Sequence, residues 1–446
     1  MDRRVLLQTF GCKLNQADSA MLAALFARRG WRVEGDGSSR EPDLIVVNSC
    51  AVTARSEAKV RQAVRRMARE HPQVPIALVG CAAELRPRAF RELPNVRWVL
   101  GVKAKFQLPD LLDAPTVDPV PRGEVDPAPS VGLFWSRTRA FVKIQDGCRF
   151  GCSYCVVPLV RGVSRSVDPD KVVEQACELA ERGHREIVVT GVDIGSYGLD
   201  LRPRRSLAWL LGRLAEQLPN VRIRLSSVEP TEVTDELIEV AASLPQVCRH
   251  WHIPIQSGSD RVLRKMRRPY DSQFVRGRLA ALCQRLDTMG LGTDVIVGFP
   301  GESDADFRLT AELLEEFPFT YVHVFPFSRR PGTAMYGVAD EVPKSVKEGR
   351  SQELRKLVAA KRRAFLERLV GTLQQVLVEK KARRDLLSGL TDTYVRVEFA
   401  GAESEVGEIV PVWIESVRDG ALCGRRGSQS EKVAGAGQMH AELLAG

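Results

Sequence analysis

Short apolar runs alternate with longer amphipathic stretches in the N-terminal part of the chain. Val5 to Thr9 precedes Ala17 to Arg29, Asp43 to Asn48 precedes Ala54 to Glu70, and Pro75 to Gly80 precedes a short helical stretch. This α/β alternation predicts a doubly wound parallel sheet with helices on its faces. The pattern resumes at Phe141: Phe141 to Gln145, Glu186 to Thr190, Val221 to Leu225, His250 to Ile255, Gly292 to Gly298 and Tyr321 to Pro326 read as strands separated by helices. Six such units predict a partial (β/α)6 barrel, with its site at the carboxyl-terminal strand ends. Between them, prolines 109, 115, 119, 121, 127 and 129 lie among acidic and small residues and read as a linker. Ser345 to Gly371 reads as one long helix stopped by its glycine. Gln374 to Glu379, Tyr394 to Phe399, Glu408 to Ile414 and Ala421 to Gly424 then alternate in strand fashion, predicting a small antiparallel β-barrel. The expected units are 1–114, a linker at 115–134, 135–371 and 372–440.

Composition narrows this picture. With 446 residues and 44% hydrophobic content, the chain has material for several buried cores. No apolar run suits a signal peptide or a membrane span, so a cytoplasmic protein without a membrane partner is expected. The formal charge of +9 fits either a polyanionic partner or a solvated basic surface. Arg355, Lys361, Arg362 and Arg363 on the long helix carry the same two readings, RNA contact or solvated face. Under reducing conditions the ten cysteines point to metal ligation or burial before disulfides.

Three of those cysteines lie close together. Cys148, Cys152 and Cys155 follow the first barrel strand with C-x3-C-x2-C spacing. Three thiols suit an iron-sulfur cluster with one iron left open, and suit zinc less well, because a closed tetrahedron needs a fourth ligand. Cys12, Cys50 and Cys81 each follow one of the first three apolar runs. Ligands gather beyond the carboxyl ends of parallel strands, so these thiols should meet at one sheet edge; the alternative is three unrelated core residues.

The Cys148-Arg149-Phe150-Gly151-Cys152-Ser153-Tyr154-Cys155 stretch resembles the cluster motif of the radical S-adenosylmethionine enzymes. Gln8 to Gln16, Asn48 to Thr53 and Gly80 to Ala82 resemble the N-terminal domain of the methylthiotransferases, whose three cysteines hold a second [4Fe-4S] cluster. Gly389 to Tyr394 and Gly407 to Val410 resemble the tRNA-binding TRAM domain. The resemblance implies two [4Fe-4S] clusters, on Cys148, Cys152 and Cys155 and on Cys12, Cys50 and Cys81. It also implies S-adenosyl-L-methionine chelating the open iron of the first, and an electron donor such as a flavodoxin or ferredoxin. Reductive cleavage of the sulfonium would give methionine and a 5′-deoxyadenosyl radical, the cofactors doing the difficult chemistry.

The Gly-Cys-Lys-x-Asn-Gln opening, Lys143 to Cys148, and Arg224 to Glu229 look most like the branch acting on N6-threonylcarbamoyladenosine at position 37 of the tRNA anticodon loop. Openings in the isopentenyladenosine branch (Gly-Cys-Gln-Met-Asn) and in the branch modifying a ribosomal-protein aspartate (Gly-Cys-Pro-Lys-Asn) differ. The implied reaction replaces the adenine C2 hydrogen with a methylthio group, one S-adenosylmethionine supplying the methyl and a second the radical. A rival from another class is a basic RNA-binding module with inert thiols.

Cofactor contacts are expected from Tyr154; from Gly191 and Asp193 after the second barrel strand; from Ser226, Ser227 and Glu229 after the third; from Gln256 after the fourth; and from Ile296 on the fifth. Arg161 and Arg165 are candidates for substrate or cofactor carboxylates, and Arg267 and Arg268 for tRNA phosphates; a surface ion pair is the alternative for each. Cys248, His250 and His252 alternate along one strand and invite a metal reading, against which barrel wall is the expectation. Cys177, Cys283 and Cys423 are expected as small core residues.

Overall fold

The structure is a computed structural model that describes residues 3–35, 40–112, 138–286, 288–339, 342–383 and 386–427, with 128, 132 and 134. Most of the expected linker at 115–134 and the stretch 428–440 lie outside the described residues.

The N-terminal sheet consists of five parallel strands in the spatial order Arg32–Glu34, Arg4–Thr9, Leu44–Ser49, Ile76–Gly80 and Val96–Leu100. Leu44–Ser49 and Ile76–Gly80 are buried at every position, because helices cover both faces of the sheet. The order reverses between the first and third strands of the chain, and in such sheets the crevice beyond the carboxyl ends at that point binds ligands. Cys12 and Cys50 follow these two strands. The strands Arg32–Glu34 and Val96–Leu100 were not evident as apolar runs, the first being three largely polar residues at the sheet edge.

Six parallel strands form the open barrel in two hydrogen-bonded triplets. Arg139–Lys143, Glu186–Thr190 and Arg222–Leu225 make one, and His250–His252, Gly290–Val297 and Tyr321–Pro326 the other. Parallel bridges from Ile223 to Val247 and from Ser227 to His252 join them. The helix Lys13–Arg28 packs against the strand Arg139–Lys143 at the open side, so the N-terminal unit lies against the barrel there.

The long helix runs Lys344–Glu367, ending before Gly371. Its basic residues are largely occupied: Arg355 donates to the Val324 carbonyl at 3.0 Å, Lys361 to that of Leu314 at 3.0 Å, and Arg363 pairs with Glu367 at 2.9 Å. Arg355 and Lys361 fasten the helix to the barrel through these carbonyls, while Arg363 lies on the solvated face in a pair within the helix.

The last unit is a closed barrel of Leu373–Arg383, Leu386–Thr391, Arg396–Ala400, Ala421–Arg426 and Ile409–Arg418 in that order around the ring. It has five strands where four were expected, and Arg396–Ala400 pairs with Ala421–Arg426 in parallel, so the barrel is antiparallel except at that seam. Its turn at Thr391 to Tyr394 closes on the lower end of the large barrel. Arg224 binds Glu186 at 2.7 and 2.9 Å and donates to the carbonyls of Thr391 at 3.0 Å and Asp392 at 2.8 Å.

Candidate active site

Three of the six candidate thiols follow a glycine in a conformation that a side chain resists. Gly11, Gly80 and Gly147 have φ of 106°, 92° and 76°, and precede Cys12, Cys81 and Cys148. A Cβ on Gly11 would lie 2.7 Å from the Cys50 Cβ, and one on Gly80 2.4 Å from Asn48 Oδ1. Glycine therefore allows the chain to turn sharply at the strand end and present the next thiol.

Cys12 caps the helix Lys13–Arg28, Cys81 opens the short helix Cys81–Leu85, and Cys50 lies in the loop between the strand Leu44–Ser49 and the helix Ala54–Glu70. Asn15 ties the edge together: Nδ2 donates to the carbonyls of Phe10 at 2.8 Å and Ser49 at 3.0 Å. Ser49 Oγ accepts from the amides of Ala82 at 3.2 Å and Ala83 at 3.3 Å, serving from a neighbouring strand as a helix cap. Burial, with repulsion from the Cys12 and Cys81 sites, pushes the Cys50 thiol up to about 11.

The second set is held by Gln145. Its Nε2 donates to the Gly147 carbonyl at 2.7 Å, and its Oε1 accepts from the amides of Val192 at 3.0 Å and Asp193 at 2.9 Å. One side chain thus fixes the cysteine loop to the loop after the next strand. A Cβ on Gly191 would lie 2.8 Å from that Oε1, so the glycine admits Gln145. Burial and the neighbouring thiols push Cys148 and Cys155 up to about 12.

The two sets are joined by a buried charge network. Arg161 donates to Asp146 at 2.9 and 3.1 Å, to Asp18 at 3.0 Å and to the Asn15 side chain at 2.7 Å. Lys143 binds Asp18 at 3.0 Å and Asp146 at 2.5 Å, and Lys105 pairs with Asp18. Burial alone would raise the Asp18 carboxyl, but Lys105, Lys143 and Arg161 together hold it far below the usual range. Three cations face two carboxylates here, and Arg161 and Lys105 act electrostatically on Cys81. An anionic thiolate at Cys81 would balance the remaining charge.

Arg268 does the corresponding work at the other set. It is buried, donates to Cys152 Sγ at 3.1 Å and to the Tyr270 hydroxyl at 2.8 Å, and pairs with Glu229. This corrects the expectation of tRNA phosphates or a surface ion pair for Arg268, as the buried network corrects that of a substrate or cofactor carboxylate or a surface ion pair for Arg161; Arg267 is exposed. Burial pushes Glu229 up to about 7 against the pull of Arg268.

Each three-thiol set suits a metal cluster. Burial and mutual repulsion disfavour free thiolates, which ligation to a cationic centre stabilises. Beside the Cys148 set, Asp193 Oδ1 and Oδ2, Ser226 Oγ and Glu232 Oε2 are buried without hydrogen-bond partners among the described residues. Burial and the Asp193 charge push Glu232 up to about 9. Unspent acceptors at the strand ends fit a ligand carrying an ammonium group. Tyr154 and Ile296 share an apolar cluster with Val262, Met266, Phe299 and Phe327, a surface suited to a flat ring. Gln256, with φ of 65°, bridges to Val295, and Ser227 is exposed at the neighbouring strand end.

Below these ends, the lumen holds His250, His252, Tyr321, Asp294 and His323. Tyr321 Oη lies 2.8 Å from His250 Nε2 and 3.0 Å from His252 Nδ1, while Asp294 Oδ1 is 3.0 Å from both His252 and His323. Cys248 instead faces Glu186, at 4.0 Å, and does not complete a site with the histidines. Cys177, Cys283 and Cys423 are partly buried. Sequence reading missed Asp18, Lys105, Gln145 and Glu232; only the Lys143-to-Cys148 segment offered a signal, since Gln145 lies within it.

Comparison with known proteins accounts for all three units. Residues 4–101 match the uncharacterized protein family UPF0004, 142–314 the radical SAM superfamily and 367–425 the TRAM domain. The chain is 35% identical over 423 residues to the threonylcarbamoyladenosine tRNA methylthiotransferase MtaB of Bacillus subtilis, spanning 92% of this chain and 93% of that protein. It is 34% identical to the tRNA-2-methylthio-N(6)-dimethylallyladenosine synthase of Chlorobium limicola, over 95% and 98%. The radical S-adenosylmethionine methyltransferase TsrM of Kitasatospora setae shares the fold with a TM-score of 0.57 at 18% identity, over 75% of this chain and 77% of that one. With three domains in order and such identity along nearly the whole chain, this protein belongs to the radical S-adenosylmethionine methylthiotransferase family.

Proposed function

We propose that the protein acts in the cytoplasm on tRNA, placing a methylthio group on C2 of N6-threonylcarbamoyladenosine at position 37 of the anticodon loop. The observation that carries this reading is the pair of three-thiol sets joined through Arg161 and Asp146, each set one ligand short of four. When bound, a [4Fe-4S] cluster with S-adenosylmethionine on Cys148, Cys152 and Cys155 supplies a 5′-deoxyadenosyl radical, and a second cluster on Cys12, Cys50 and Cys81 supplies the sulfur. Electrons come from a flavodoxin or ferredoxin.

The protein's own residues position and exclude. Asp193 receives the cofactor's ammonium group, with Glu232 beside it; Gly191, Ser226, Ser227, Glu229 and Gln256 line the same strand ends. Tyr154 and Ile296 pack the adenine. Arg268 orients Cys152 and Glu229, while the barrel wall keeps water from the radical. An anticodon-loop base is single-stranded, so bringing it into the lumen costs little unstacking. The segments 1–114, 135–371 and 372–440 divide the work into sulfur donor, radical source and tRNA holder.

Mass spectrometry of tRNA nucleosides from cells with and without the protein tests the substrate. Loss of the methylthio form of threonylcarbamoyladenosine is expected. Loss of the methylthio isopentenyl form alone would transfer the chain to that branch.

A further inference from the structure

Lys13 follows Cys12 directly and is the first residue of the helix Lys13–Arg28, so its backbone is fixed at the sheet edge. Its side chain leaves the thiols and enters the lumen: Nζ is 5.8 Å from the centre of the Tyr394 ring. The charges acting on it most are Arg224, Arg139, Glu186 and Asp294. Each of these neighbours already has a partner. Arg224 binds Glu186 at 2.7 Å, Arg139 binds Glu379 at 2.9 Å, and Asp294 is shared by His252 and His323 at 3.0 Å. Lys13 makes no hydrogen bond or ion pair among the described residues, although it is partly buried. A desolvated ammonium that faces only an aromatic ring lacks a counter-charge, and an incoming anion supplies it.

Purine geometry says where the anion comes from. C2 and the N6 substituent both flank N1, on one edge of the base. A base whose C2 meets sulfur held at Cys12, Cys50 and Cys81 therefore brings its N6 side chain close to the residue after Cys12. We propose that Lys13 is the specificity-determining residue of this site, receiving the carboxylate of the substrate's N6 side chain in the lumen beside Tyr394. The assignment rests on the threonylcarbamoyladenosine reading above, whose side chain ends in a carboxylate. An uncharged N6 side chain would leave Lys13 unpaired, so the same residue disfavours it.

The test compares two anticodon stem-loops, one carrying the threonylcarbamoyl acid and one the corresponding carboxamide, on reconstituted full-length protein. The ratio of their kcat/KM values is measured for the native chain, Lys13→Met and Lys13→Arg, and the ratio of their Kd values by fluorescence anisotropy. Native protein is expected to favour the acid by about tenfold or more, the scale of one charge-assisted contact. Lys13→Met should bring both ratios to about one, and Lys13→Arg should restore most of the preference. Because ratios are compared, partial loss of iron in a variant does not mimic the result. An unchanged preference in Lys13→Met overturns the Lys13 assignment alone. Methylthiolation of neither stem-loop by the native protein overturns the substrate reading and this assignment with it.

Discussion

The two thiol sets reach similar surroundings by opposite routes. Cys148, Cys152 and Cys155 belong to one loop whose spacing is fixed by the chain itself and which nearby Gln145 holds, with Arg268 reaching in from farther along the sequence. Cys12, Cys50 and Cys81 come from three strand ends, brought to one sheet edge because Arg4–Thr9, Leu44–Ser49 and Ile76–Gly80 run side by side. The local set needs its loop. The distributed set needs the whole sheet, and is further braced by charges from the barrel, Lys143, Asp146 and Arg161. Damage at a distance should therefore reach Cys12, Cys50 and Cys81 first.

The sharpest way to separate the sets is to remove each in turn. Replacing Cys148, Cys152 and Cys155 by Ala should lower reconstituted iron from about eight to about four per chain and abolish 5′-deoxyadenosine formation. Replacing Cys12, Cys50 and Cys81 by Ala should lower iron by a similar amount yet leave 5′-deoxyadenosine formation, with no methylthio product. A second triple variant that still holds about eight irons would refute the distributed set as a ligand group.

A milder break targets the brace. Asp18→Asn leaves Lys105, Lys143 and Arg161 facing Asp146 alone, and should destabilise the protein by about 3–5 kcal/mol, read as a lower urea midpoint. Iron at Cys12, Cys50 and Cys81 should be lost before iron at the other set. Equal loss from both sets would mean that the network holds the sets with no bias. The smallest effect is expected from Ser49→Ala, which removes the cap on Ala82 and Ala83 and should cost about 1 kcal/mol. A ligand-loop change of that size at Cys81 should appear as weaker iron retention under chelator, while Cys148, Cys152 and Cys155 keep theirs.

How much of this was legible beforehand depended on the range of the interaction. The strand-helix alternation of both large units and the Cys148 loop follow from residues a few positions apart, and so does the long helix. Strand ends followed by cysteine also placed Cys12, Cys50 and Cys81 along one sheet edge. Arg268 was misread because its sequence neighbours are charged and turn-like, whereas its partners Cys152 and Glu229 lie far along the chain. Leu386–Thr391 was missed as a strand because it is completed by pairing with Leu373–Arg383 and Arg396–Ala400 rather than by its own alternation.

The sequence by itself determined the units, their order and the placing of six thiols after strand ends, since periodicity is a local property. Tertiary structure decided which charges stand beside those thiols. Asp18 and Lys105 are unremarkable charged residues in sequence, and join Lys143, Asp146 and Arg161 in one buried network only when helix, sheet and barrel pack together. The direction of Lys13 was decided in the same way. Its position after Cys12 is written in the chain, but only the packing of the helix Lys13–Arg28 on the barrel's open side turns its ammonium into the lumen.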